Sequence, residues 1–214
     1  MDELQLVIFD MDGLMFDTER RYGRDMEAAA ERHGIEVDMQ VLWDSVGGTQ
    51  FDFDRFLVHA PEGVDAEKIF DAIVPDAIDD MCANGVPMKK GLLQLLEKLK
   101  RKGLRAAVAT STDIAYSGRL IKAAGIWDYF DFVLTRRDVV YSKPAPDIYL
   151  AACKKAGVEC CQALVLEDSA NGGRAAKAAG IPYIIVPDVL QPPEDVARGA
   201  YAVVDSLETV ANMI

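Results

Sequence analysis

Asp10 and Asp12 are two acids separated by a single residue, and they follow the short apolar run Leu6-Val7-Ile8-Phe9. An unbroken apolar run of that length reads as a strand buried on both faces, the form strands take in parallel sheets. Asp12-Gly13 reads as a tight turn. Asp10 therefore falls at the carboxyl end of a buried strand, where open α/β sheets place their ligands. Two carboxylates this close repel, and they need a cation, a proton or strong donors between them. That is the profile of a metal site or an acid/base pair. Turn formation and capping of the next helix account for the dipeptide pattern equally well.

More polar groups recur at the ends of later apolar runs. Leu104 to Ala109 ends in Thr110-Ser111-Thr112, directly before a helical segment. Small hydroxyls and amides at a helix start suit an anion, and they also suit plain capping. Ser142-Lys143-Pro144-Ala145-Pro146-Asp147 is a loop stiffened by two prolines, which gives the Lys143 stem a fixed direction. Ala163 to Leu166 ends in Glu167-Asp168-Ser169, a second acid pair leading into a helix. Each signal alone is weak. Acid pair, hydroxyls, lysine and second acid pair at one edge of one sheet form a specific constellation.

The elements that must position these groups read as alternating strands and helices from Gly91 onward. Strands are predicted at 104–109, 130–134, 163–166 and 182–186, with a possible edge strand at 202–204. Helices fall at 92–102, 113–124, 147–156 and 171–179. Such alternation implies a mostly parallel sheet covered by helices on both faces, a Rossmann-like α/β core. Residues 18–86 break the alternation. Residues 18–33 form a helix with Thr18 as N-cap and Gly34 as stop. Residues 50–59 carry Phe53, Phe56 and Leu57 on one helical face, and 66–81 is an amphipathic helix that Pro75 kinks or divides. Strand-like material is missing from the interval. The organisation predicted is a core of 1–17 and 87–214 with an inserted all-α helical cap at 18–86, placed to close over the strand ends and exclude water. A side bundle that only adds buried area is the bland alternative.

Composition narrows the function classes. A formal net charge of -12 over 214 residues leaves no basic stripe for nucleic acid. No signal peptide and no bilayer-spanning run is evident, so a cytoplasmic protein that does not engage membranes is expected. Cys82, Cys153, Cys160 and Cys161 have no metal-ligand spacing and read as free thiols, and His33 and His59 read as solvated or partly packed. Zinc chemistry does not fit.

The segments Asp10-Met-Asp-Gly-Leu-Met-Phe-Asp-Thr18, Thr110-Ser111, Lys143-Pro-Ala-Pro-Asp-Ile-Tyr149 and Glu167-Asp-Ser-Ala-Asn-Gly-Gly-Arg-Ala-Ala-Lys-Ala-Ala-Gly180 together resemble the haloacid-dehalogenase superfamily of phosphotransferases. The likeness is to the branch with a helical cap, in the group of β-phosphoglucomutase and related sugar-phosphate and nucleotide phosphatases. It covers essentially the whole chain. It implies that Asp10 attacks phosphorus to form an aspartyl-phosphate, since a carboxylate needs no deprotonation at neutral pH. It implies Mg²⁺ held by Asp10, the backbone carbonyl of Asp12, Asp168, and Glu167 directly or through water. Asp12 would protonate the leaving oxygen and then activate water. Thr110, the Ser111 amide and Lys143 would hold the phosphoryl oxygens. Gly47 and Gly48 would form the cap's substrate loop, although a helix-breaking turn explains them equally.

Departures bear on the substrate. The mutase has a histidine where this chain has Tyr22, and cationic cap residues where this chain has Val46 and Gln50. A mutase must hold a second phosphate during transfer, and this cap lacks those cations. The expectation is a Mg²⁺-dependent phosphatase of a small phosphorylated metabolite, a sugar phosphate or nucleotide, with a mutase as the alternative. A dehalogenase would leave Asp12 without a purpose. A receiver-type signalling domain shares the acid cluster but carries its accepting aspartate on an interior strand and has no insert.

Overall fold

The structure, a computed structural model, describes residues 3–46 and 51–214. The chain runs β1 (Leu6–Phe9), α1 (Thr18–His33), β2 (Glu36–Val37), α2 (Met39–Ser45), α3 (Phe53–Phe56), β3 (Leu57–His59) and α4 (Ala66–Asn84). It continues through α5 (Leu92–Arg101), β4 (Arg105–Ala109), α6 (Ile114–Ala123), β5 (Phe132–Leu134) and α7 (Asp147–Ala156). The remaining elements are β6 (Ala163–Glu167), α8 (Ala170–Ala178), β7 (Tyr183–Ile185), α9 (Glu194–Ala197), β8 (Ala202–Val203) and α10 (Leu207–Met213). Short 3₁₀ turns precede β5, α7 and β6.

Six strands form one sheet in the order β5-β4-β1-β6-β7-β8, and each adjacent pair is parallel. The unbroken apolar strands have a physical cause in the packing. Val7 and Phe9 of β1, with Ala106 and Val108 of β4 and Leu164 and Leu166 of β6, point into one apolar cluster, which α5, α6 and α10 complete. Leu6 and Ile8, with Ala107, Ala109 and Val165, point into a second cluster, completed by α7 and α8. Side chains of period two thus meet hydrocarbon on both faces. Each fully buried Leu, Ile or Phe contributes about 1.5–3 kcal/mol. The central strand β1 carries Asp10 at its carboxyl end, and the sheet order reverses there, the usual ligand position in such sheets.

The interval 18–86 differs from the expectation in three ways. It contains a two-stranded antiparallel ribbon of β2 and β3, so it is not wholly helical. Residues 53–56 make one helical turn, and Leu57 then enters the ribbon, pairing with Val37. Strands of two and three residues are too short to show alternation. Phe53 and Phe56 still pack together, in an aromatic group with Phe51 and Phe70. Third, α4 runs through Pro75 without being divided. Its Ala66, Phe70 and Ile73 lie in a separate apolar cluster with Met26, Ala30 and Leu42. Beyond Pro75, its Ala77, Ile78 and Met81 join the cluster under the sheet. One helix therefore divides its apolar face between two cores. Among the described residues, no helix is long and apolar enough to cross a membrane.

Candidate active site

β1 and β4 end at the same edge, and the chain beyond them is tied there by backbone bonds. Asp10 N–H donates to Leu166 O at 3.0 Å, and Thr110 N–H donates to Leu134 O at 3.0 Å. The turn after β1 needs Gly13 twice over. Its φ is +75°, and a Cβ there would sit 2.2 Å from Asp168 Oδ2. Gly13→Ala is expected to destabilise the protein by about 1–3 kcal/mol through strain and overlap, read from the urea midpoint.

Lys143 stands between the two acid pairs, its side chain 7% exposed. Its Nζ donates to Asp10 Oδ1 at 2.5 Å, Glu167 Oε1 at 2.7 Å and Ala109 O at 3.1 Å. All three ammonium hydrogens are therefore used. Burial opposes the charge on Lys143, but Asp10 and Glu167 outweigh it and hold its pKa well above the ordinary lysine value.

Glu167 is fully buried and saturated with donors. Oε1 accepts from Lys143 and from Tyr149 OH at 2.8 Å, while Oε2 accepts from the amides of Asp168 and Ser169 and from Ser169 Oγ. Burial alone would raise its pKa, yet Lys143 and these donors hold it below the ordinary glutamate value. The first turn of α8 comes so close that a Cβ on Gly172 would lie 1.7 Å from Oε1.

Asp12 is gripped by two hydroxyls. Thr18 Oγ1 donates to Oδ1 at 2.7 Å, and Thr112 Oγ1 donates to Oδ2 at 2.6 Å. Burial raises the Asp12 pKa against the lowering effect of both hydroxyls. Thr18 thus serves the acid and not the helix start, where Asp17 is the N-cap. The helix after β4 starts within a residue of its expected place, at Ile114. Asp113 caps α6 and takes the Ala115 amide, leaving the Thr110–Thr112 segment, not the helix terminus, to face the cavity.

Asp10, Asp12, Thr110, Ser111, Lys143 and Asp168 line one cavity of about 120 Å³, together with Glu19, Thr112 and Ser169. Carboxylate oxygens of Asp10, Glu167 and Asp168 lie within 4.8 Å of one another. Burial pushes Asp10 up to about 7, with Lys143 opposing, and burial with Glu167 and Asp10 holds Asp168 well above the carboxylate range. Glu19 is pushed up to about 8 by burial and the neighbouring acids. One lysine does not balance so many acids. An all-oxygen, strongly anionic set of this kind fits a hard divalent cation.

The pH dependence follows from those directions. Asp10 binds its proton more tightly folded than unfolded, so its contribution to stability is full below about 3.8 and is lost as pH rises through about 7. A cation must displace that proton. The rise in melting temperature on adding Mg²⁺ is expected to be larger near pH ~8 than near pH ~6.

A family model described as haloacid dehalogenase-like hydrolase matches residues 4–180. The chain belongs to the haloacid dehalogenase-like hydrolases. Protein CbbY of Cupriavidus necator is 31% identical over 228 residues, covering 95% of this chain and 86% of its own. Hexitol phosphatase B of Escherichia coli strain K12 is 27% identical over 188 residues, covering 86% and 84%. The crystal structure of CbbY from Rhodobacter sphaeroides in complex with phosphate superposes with a TM-score of 0.77 at 29% identity, covering 97% of this chain and 96% of that one.

Within this hydrolase the core residues singled out in sequence, Asp10, Asp12, Thr110, Ser111, Lys143, Glu167 and Asp168, lie together, while Gly47, Gly48 and Gln50 lie outside the described residues. Val46 closes α2, and Tyr22 packs against the cluster beneath the sheet. Sequence reasoning took Thr112 only as part of the hydroxyl run, not as a partner of Asp12, and gave no role to Glu19, Tyr149 or Asp188. The first two adjoin residues already chosen, and Tyr149 lies six positions beyond Lys143. Nothing local points to Asp188.

Proposed function

We propose that this hydrolase is a Mg²⁺-dependent phosphatase of a small phosphorylated metabolite, a sugar phosphate or nucleotide, working through an aspartyl-phosphate. The observation that carries this reading is the shared cavity of Asp10, Lys143 and Asp168 at the end of the central strand. Asp10, Asp168 and the backbone carbonyl of Asp12 would hold the ion, and Glu167, whose oxygens already accept from Lys143, Tyr149, Asp168 and Ser169, would reach it through water. Bound there, Mg²⁺ supplies positive charge that withdraws density from the phosphoryl oxygens.

The chain's own groups then act in sequence. An Asp10 carboxylate oxygen attacks phosphorus, and the bond to the leaving oxygen breaks as Asp12 gives that oxygen a proton. Water next attacks phosphorus, Asp12 takes its proton, and the bond to Asp10 breaks to restore the carboxylate. Thr110 and the Ser111 amide hold the phosphoryl oxygens throughout, and Lys143 offers them its charge while it donates to Asp10, Glu167 and the Ala109 carbonyl. Residues 18–86 serve as a cap over the core of 1–17 and 87–214, with Gly47 in its substrate loop. Support comes from Glu19 and Thr18, which reach the cavity from the first turn of α1. A phosphatase relative supports hydrolysis, and a mutase is not favoured.

Turnover of p-nitrophenyl phosphate tests the reading. Hydrolysis is expected with Mg²⁺ and is expected to stop on chelation; none with Mg²⁺ would refute the proposal. Asp12→Ala is expected to lower kcat about 10²–10³-fold with Mg²⁺ affinity nearly unchanged by calorimetry. Near-normal turnover would remove Asp12 from the proton steps. A panel of phosphorylated metabolites would then identify the preferred substrate.

A further inference from the structure

We infer that Asp188 is a positioning residue that seats the first turn of α1 over the acids and thereby fixes the donors around Asp12. Asp188 follows β7 at the carboxyl edge of the sheet, and its side chain is 1% exposed. Its Oδ1 accepts from Lys89 Nζ at 2.6 Å and from Arg20 Nε at 3.1 Å. Its backbone carbonyl accepts from Arg20 Nη2 at 3.0 Å. Arg20 lies in the first turn of α1, and Lys89 lies where the chain returns from α4 to the sheet. One carboxylate of the core thus holds both segments that join 18–86 to it.

The two segments also hold each other. Asp17 N–H donates to Pro87 O at 2.9 Å, and Lys89 N–H donates to Met15 O at 2.8 Å. Asp17 Oδ1 lies 3.6 Å from Arg20 Nε and 3.7 Å from Lys89 Nζ. The second oxygen of Asp188, Oδ2, is buried and has no hydrogen-bond partner among the described residues. It lies 3.4 Å from the point where a Cβ on Gly13 would sit. A buried carboxylate with one unsatisfied oxygen depends on the cations at the other, so Arg20 and Lys89 are both held.

A helical turn is stiff, with about 1.5 Å of rise per residue, so fixing Arg20 fixes Thr18 and Glu19. Thr18 donates to Asp12, and Glu19 lines the cavity. Asp188 lies outside the residues that line the cavity and outside the acid group of Asp10, Glu167 and Asp168, and it acts through Arg20 and Lys89. The inference rests on the reading of Asp12 as the proton donor.

The test is a double-mutant cycle of Asp188→Ala and Arg20→Ala, with Arg20→Lys as the conservative variant. Turnover of p-nitrophenyl phosphate, Mg²⁺ affinity by calorimetry and hydrogen exchange of the α1 amides are measured. Each single variant is expected to lower kcat about tenfold, the double variant no further, and Arg20→Lys to recover part of the loss. Mg²⁺ affinity is expected to stay within about twofold of the parent while the first turn of α1 exchanges faster. Multiplicative losses in the double variant, or unchanged exchange in α1, would overturn the assignment. Exchange is read without turnover, so a failure here is distinct from a failure of the phosphatase reading. Asp188→Asn, which keeps the shape, carries the same test if Asp188→Ala does not fold.

Discussion

Asp10→Asn is expected to lower turnover of p-nitrophenyl phosphate by at least about 10⁴-fold while leaving the fold intact. The amide keeps the shape of the side chain but offers no anionic oxygen for attack on phosphorus. Among the acids of the described residues, Asp10 alone both accepts from Lys143 and lines the cavity. Stability is expected to behave oppositely. Burial makes the Asp10 carboxylate costly, as its rise to about 7 indicates. The variant's urea midpoint without Mg²⁺ should therefore equal or exceed the parent's at pH ~8. Turnover within tenfold of the parent would mean that another group attacks phosphorus.

Lys143→Ala carries the largest expected cost to stability, about 3–5 kcal/mol at neutral pH. It strips the cation from Asp10 and Glu167, two carboxylates 8% and 0% exposed. Asp10, already raised to about 7, relieves its own penalty by taking a proton. Glu167 loses the charge that outweighed its burial, so its affinity for a proton rises even though the backbone donors remain. Part of the lost stability should return as the pH is lowered and Glu167 gains a proton. Urea denaturation at two pH values measures this. Phosphate retention should also fail, since the variant lacks the buried ammonium at the cavity wall. A loss below about 1 kcal/mol would show that water enters and solvates both acids.

How far sequence carried the structure depends on where the determining contacts lie. Strands buried on both faces leave unbroken apolar runs, so β1, β4 and β6 could be placed within a residue or so, and with them Asp10, Thr110 and Glu167. Lys143 was legible because its prolines mark a rigid loop. The stretch at 50–59 misled because Phe53, Phe56 and Leu57 fit a helical face, whereas the ribbon with β2 that takes Leu57 is a pairing made across the chain. Thr18 read as a cap because Ser and Thr usually are. Its actual partner, Asp12, was itself in view, but a choice between a helix amide and a carboxylate needs coordinates.

Asp188 is the opposite case. Its partners are 168 and 99 positions away, and its own surroundings, a Pro-Asp-Val loop, carry no pattern. The division of α4 between two cores was also hidden, because Pro75 suggested a break while both halves kept helical spacing. Local periodicity reports what an element is. It does not report which of two cores receives each end.

The most direct measurement is anomalous diffraction from crystals grown with Mn²⁺ in place of Mg²⁺. A single peak bonded to carboxylate oxygens of both Asp10 and Asp168, in the cavity faced by Lys143, is the expected result. Mn²⁺ bound elsewhere, or to neither of these two acids, would contradict a shared cation site.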